Sequence, residues 1–149
     1  MTLAERLGSL VGEDLGAGEW MEITQARVDG FADLTEDHQW IHQAGERAEQ
    51  GPFGGPIAHG FLTLSLLTPL SGPVTRRLTE GARMVINYGF DRVRFVSPVP
   101  VGSRIRARGT LAEISEVEGG VQAGVDLTIE IEGSERPAAV ARNLFRVYE

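Results

Sequence analysis

Cysteine is absent from the 149-residue chain, and so is lysine. Without cysteine there is no disulfide, no thiolate metal site and no cysteine nucleophile. Without lysine, all 14 basic residues being arginine, no Schiff base can form with a carbonyl substrate. Positive charge is scarce as well: 21 acidic residues leave a net charge of -7. A nucleic-acid partner needs a basic footprint that this balance denies, whereas a small anionic ligand needs only a few local arginines. Long hydrophobic runs are missing too. The longest uncharged stretch, residues 50–75, is broken by Gly51, Pro52, Gly54, Gly55 and Pro56. Its leucine-rich part spans only about 11 residues, against the ~20 that a bilayer requires, so no membrane insertion is expected. The N-terminal residues carry Glu5 and Arg6 and no apolar run, so they do not read as a signal peptide. A cytoplasmic location is the resulting expectation. The three histidines show no metal-ligand spacing, and no glycine-rich loop stands between a strand and a helix, so neither a metal nor a cofactor is expected.

What is present fits one domain over residues 1–149, with no repeat or linker to divide it. Thr2 and Glu5 form a capping-box pattern that starts a short helix over 2–11. Residues 19–23 suit a short strand. Thr24 is a second cap, and Val28, Phe31, Ala32 and Leu34 recur at helical spacing over 25–35. Residues 36–43 read as a loop, 44–50 as a helical turn, and 51–56 as irregular. Residues 58–70 place Phe61, Leu62, Leu64, Leu66, Leu67 and Leu70 around nearly the whole of a helix, which predicts a buried one. The period then changes. Strands are expected over 84–96, 104–111, 121–131 and 138–148, with turns at Glu118-Gly119-Gly120 and Glu132-Gly133-Ser134. Ile105, Ala107, Gly109 and Leu111 face one way and Arg104, Arg106 and Arg108 the other, a solvated sheet face. Helices followed by consecutive antiparallel strands make an α+β protein. Wrapping the sheet around the one apolar helix gives the hot-dog fold. Such a sheet leaves an edge and an apolar flank open, so a homodimer is expected.

Two stretches carry candidate chemistry. In Glu36-Asp37-His38-Gln39-Trp40-Ile41-His42, Asp37 and His42 are five positions apart. On a continuous helix they would point about 140° apart. In a loop they can converge on one water, as a carboxylate and imidazole acid/base pair would. Spacing leaves open that they are ordinary loop polar residues. In Pro56-Ile57-Ala58-His59-Gly60-Phe61, glycine opens the leucine-rich helix. A first-turn amide has no intrahelical partner, and glycine permits close approach, so Gly60 can receive a carbonyl oxygen or can merely allow a tight start. His59 is open to two roles, a polar contact at the helix start or a part of the site wall.

Phe31-Ala32-x-Leu34-Thr35-x-Asp37-x-x-x-Ile41-His42, followed by Gly51-Pro52-Phe53-Gly54-Gly55-Pro56-Ile57-Ala58-His59-Gly60-Phe61-Leu62, resembles the hydratase signature of the MaoC-like family. Ile86 to Ser103 also resembles a family strand and turn, and the likeness spans roughly residues 19–147. It departs from the common Gly-Asp-x-Asn-Pro-x-His motif: Glu36 replaces the glycine, Gln39 the asparagine and Trp40 the proline, a pattern similar to the branch that includes nodulation protein N. The resemblance implies an (R)-specific enoyl-CoA hydratase. Asp37 and His42 would be its acid/base pair, the Gly60 amide its oxyanion hole, and Thr68 a hydroxyl supporting Asp37. Ile57, Ala58, His59, Val85, Ile86, Asn87, Tyr88, Val96, Ser97 and Pro98 would contact an acyl-CoA or acyl-carrier-protein thioester. No cofactor is implied beyond the coenzyme A of the substrate. Arg92 and Arg94 share a strand face that could meet phosphates. The competing readings are a hot-dog acyl-CoA thioesterase and an acyl-binding or partner subunit of a heteromeric dehydratase.

Overall fold

The computed structural model describes residues 1–149. Helix α1 (Leu3–Gly8) carries the expected capping box, with Glu5 N donating to Thr2 Oγ1 at 3.1 Å and Thr2 N donating to Glu5 Oε2 at 2.8 Å. Strands β1 (Asp14–Ala17) and β2 (Met21–Glu22) follow. Helix α2 (Gln25–Thr35) starts where Thr24 accepts from Arg27 N. A 3-10 turn (Trp40–His42) and the one-turn helix α3 (Glu46–Glu49) lead into three consecutive helices, α4 (Gly60–Ser65), α5 (Leu67–Leu70) and α6 (Gly72–Thr79). The long strands are β3 (Met84–Phe95), β4 (Arg104–Val117), β5 (Gly120–Ile131) and β6 (Ala139–Tyr148).

All pairings are antiparallel, in the order β1-β4-β5-β6-β3 with β2 also on β4. Helix α6 touches β1 and β3, which are the two ends of that order, as well as β4. In a flat sheet those ends would lie about 19 Å apart, four steps of ~4.8 Å, too far for one helix to bridge. The sheet is therefore curled around the helical layer, the arrangement expected of the hot-dog fold. The buried core joins Leu3 and Leu7 of α1, Leu62, Leu67, Leu70, Val74 and Leu78 of the helical layer, and the inward residues of β4, β5 and β6. The alternation in β4 holds: Ile105, Ala107 and Leu111 are fully buried, while Arg104, Arg106 and Arg108 pair outside with Glu132, Glu130 and Asp14.

The single helix expected over 58–70 is corrected. It breaks at Leu66, because Pro69 has no N–H to offer the carbonyl of Ser65. Nor is it buried all round: Phe61 is 68% exposed, and Ser65, Thr68 and Pro69 are exposed beside it. No helix is long and apolar enough to cross a membrane.

Candidate functional site

Helix α2 ends at Glu36, which takes the left-handed conformation (φ 61°, ψ 19°) and turns the chain sharply into Asp37. This is why Asp37 and His42 escape the divergence that a continuous helix would impose. The Asp37 carboxylate is half exposed, and its side chain makes one long contact, accepting from Gln39 N at 3.4 Å. The 3-10 turn then directs the His42 ring inward, to 7% exposure. A hydrogen bond of 2.7 Å joins its Nδ1 to the Ile57 carbonyl. A carbonyl only accepts, so Nδ1 carries a proton, and in the neutral ring Nε2 keeps its lone pair. Donor atoms of Asp37, His42 and His59 lie within 4.8 Å of one another. Two hydrogen bonds of about 2.8 Å meeting at a tetrahedral oxygen span about 4.6 Å, and the Asp37–His42 separation is no more than 4.8 Å.

His42 and Gly60 line the same cavity, of about 270 Å³, together with Ile41, Ile57, Ala58, Thr63, Phe95, Val96, Ser97, Pro98, Val99 and Ala138. The wall is mostly apolar. Ile57 pairs with Pro100 in an isolated bridge, and Ala58 N donates to the Val99 carbonyl at 2.8 Å, which ties the segment before α4 to the one after β3. Gly60 is the first residue of α4, and a Cβ there would stand 3.0 Å from the Phe95 ring. Glycine avoids that close contact, and the first amide of the helix has no intrahelical partner.

Of the residues expected at the ligand, Ile57, Ala58, Val96, Ser97 and Pro98 are brought together at this cavity, with His42 and Gly60. Asp37 is not part of its lining and reaches it through its proximity to His42. His59 is corrected: it is not part of the lining, is 2% exposed and stacks on His42, ring centroids 3.7 Å apart. Val85, Asn87 and Thr68 are corrected too. They line a separate hollow with Thr75, Leu78, Thr79 and Phe145, so the exposed Thr68 does not support Asp37. Ile86 and Tyr88 project from the opposite face of β3, where Arg146 lies 4.0 Å over the Tyr88 ring. Arg92 and Arg94 share an outer hollow with Asp91 and Arg142, away from the cavity. Ile41, Thr63, Phe95, Val99 and Ala138 were missed. Thr63 and Phe95 carried a signal, since Thr63 sits three residues after Gly60 on the same helix and Phe95 directly precedes Val96. Ala138 carried none.

Three donors so close raise the question of a metal, but the stacked rings, 23° from parallel, turn their in-plane lone pairs side by side rather than toward one point. The clear electrostatic perturbations lie elsewhere. Paired hydrogen bonds from Arg142, both 2.7 Å, hold the Asp126 carboxyl below its usual value despite partial burial. The backbone N–H of Gly16 does the same for Asp14, with Arg108 adding to it.

The sequence pattern of the MaoC-like domain matches residues 6–132. The chain is 49% identical over 141 residues to 3-hydroxyacyl-thioester dehydratase Z of Mycobacterium tuberculosis, covering 94% of this chain and 92% of that protein. It is 47% identical over 136 residues to nodulation protein N of Rhizobium leguminosarum bv. viciae, covering 89% of this chain and 83% of that one. Among solved structures, the (R)-hydratase from A. caviae involved in PHA biosynthesis superposes with a TM-score of 0.73 at 25% identity, over 91% of this chain and 94% of that chain.

Proposed function

The chain belongs to the MaoC-like family of dehydratases, and from that premise we propose that it interconverts trans-2-enoyl-CoA and (R)-3-hydroxyacyl-CoA by adding or removing water. One observation carries the reading: His42, whose Nδ1 is bonded to the Ile57 carbonyl, stands within 4.8 Å of the Asp37 carboxylate and lines a cavity together with Gly60. Asp37 and His42 clamp the water. One of them takes its proton as the oxygen bonds the β-carbon, and a proton is returned to the α-carbon on the same face. Charge moving onto the thioester oxygen is received by the Gly60 amide. Dehydration uses the same groups in reverse. The apolar wall from Phe95 to Val99 suits an acyl chain, and coenzyme A or an acyl carrier protein would present it.

The reading includes a homodimer in a cytoplasmic setting. Strand β3 pairs only with β6, so its other edge is unpaired, and the exposed Phe61 packs edge-on against the half-exposed Phe95 at the cavity. A second copy covering this flank would bury apolar surface and narrow the cavity mouth. No cofactor enters the reaction.

Purified protein given crotonyl-CoA, followed by enoyl absorbance and free thiol together, tests the proposal. Loss of enoyl absorbance without thiol is expected. Thiol release would point to thioester cleavage, and no change would point to a binding subunit. Asp37→Asn and His42→Ala are each expected to lower turnover by at least about a hundredfold with folding retained. Near-normal rates in both would remove these residues from the chemistry.

A further inference from the structure

His59 is 2% exposed, deeper than His42 itself, and the hydration scheme assigns it no proton. Its three contacts give it a different task. Nε2 lies 3.0 Å from the Asp37 carbonyl, one ring face stacks on His42, and the Phe31 ring packs at 4.9 Å. The Asp37 carbonyl only accepts, so Nε2 carries a proton, and in the neutral ring Nδ1 is bare. That Nδ1 is sealed from solvent with no hydrogen-bond partner. Stranding a polar atom in this way is unfavourable. Leucine would fill the space without stranding anything. The imidazole is therefore accounted for by what its other nitrogen does.

We infer that His59 is the positioning residue of the acid/base pair, an inference that rests on the hydration reading. Asp37 needs such a residue. It follows the left-handed Glu36 on an exposed loop, and its carboxylate has only the 3.4 Å contact with Gln39 N to hold it. The Nε2–H bond fixes the loop at the Asp37 carbonyl itself, and the Asp37 Oδ2 stays 3.9 Å from the same nitrogen. The stacking sets the plane of the His42 ring, whose Nδ1 bond to Ile57 sets its rotation within that plane. His59 also precedes Gly60 directly and accepts from Thr63 N through its carbonyl at 3.2 Å. One residue thus ties the carboxylate loop, the imidazole and the first amide of α4 into one unit. Displacements of about 1 Å at such a constellation cost on the order of a hundredfold in rate.

The test compares wild type, His59→Leu and His59→Gln, alone and combined with Asp37→Asn, in crotonyl-CoA hydration, with nitrogen-15 spectra of the histidine rings. Expected are an Nε2–H tautomer for His59 and an Nδ1–H tautomer for His42 in wild type. His59→Leu should lower kcat by roughly a hundredfold with KM within about threefold. His59→Gln, whose amide nitrogen can replace Nε2, should recover most of that loss. In the Asp37→Asn background His59→Leu should cost less than about threefold, because the group it positions is already disabled. Full additivity, a glutamine variant as poor as leucine, or wild-type kcat in His59→Leu overturns the inference. So does an Nδ1–H tautomer at His59, which is read on wild type and needs no variant to fold. If wild type hydrates nothing, the hydration reading fails on its own. The positioning claim is then decided by whether the His42 tautomer is lost in His59→Leu and kept in His59→Gln.

Discussion

Glu36 occupies a backbone region that L-residues avoid at a cost of roughly 1–2 kcal/mol. It is the only non-glycine residue in the chain with positive φ. Glu36→Gly should raise the free energy of unfolding by up to about 1 kcal/mol, since relief of strain exceeds the extra chain entropy that glycine brings to the unfolded state. Urea denaturation measures this directly, and a loss of stability would show that the Glu36 side chain contributes more than its backbone costs. At this scale the sequence was partly readable. Asp37, His42 and Gly60 stood out by type and spacing, and the glutamate in a glycine's place was visible before its φ was known. The part played by His59 was not readable, because its partner is a backbone carbonyl 22 residues earlier, and a carbonyl leaves no mark in a side-chain pattern.

Among the elements, α6 was missed although its signals were there: Pro73 in the first turn, and Val74 and Leu78 four apart, both buried. The unbroken reading of 58–70 obscured it, because leucines on every face suggested one helix where Pro69 makes two. Strand β1 has four residues and three partly exposed or exposed positions, too few for an alternation to register. The helical layer meets the sheet tightly at Gly109 in β4, where a Cβ would sit 2.6 Å from Val74 Cγ2 and 3.0 Å from Leu127 Cδ2. Both neighbours are buried and cannot swing aside. Gly109→Ala should therefore destabilise by about 1–3 kcal/mol through overpacking, and adding Val74→Ala should return part of the loss. Thermal unfolding of the two single variants and the double variant checks this. Strictly additive losses would mean that α6 and β4 do not press on each other there.

For the molecule as a whole, acid should weaken the sheet through Asp126. Its folded-state carboxyl binds a proton less readily than in the unfolded chain, so the Arg142 pair contributes above the unfolded pKa of ~3.9, and the contribution fades as pH falls through the lower folded value. The side chain is 45% exposed, so solvent screening limits this to no more than about 1 kcal/mol. Asp126→Asn should flatten the decline in stability between pH 5 and about pH 2, and an unchanged slope would place the acid sensitivity elsewhere. For assembly, light scattering should give twice the chain mass, and Phe61→Glu should shift the protein toward single chains with reduced turnover. A single-chain wild type at full activity would remove the homodimer from the proposal.

The cavity is assembled from three separate stretches of chain. His42 and Gly60 come from residues 41–63, and much of the apolar lining comes from a second stretch, Phe95 to Val99, and from Ala138. Substitutions in the second stretch can reshape the hollow while leaving the first untouched. Descendants of such a gene are free to diversify in the tails they accept while inheriting one unaltered reaction.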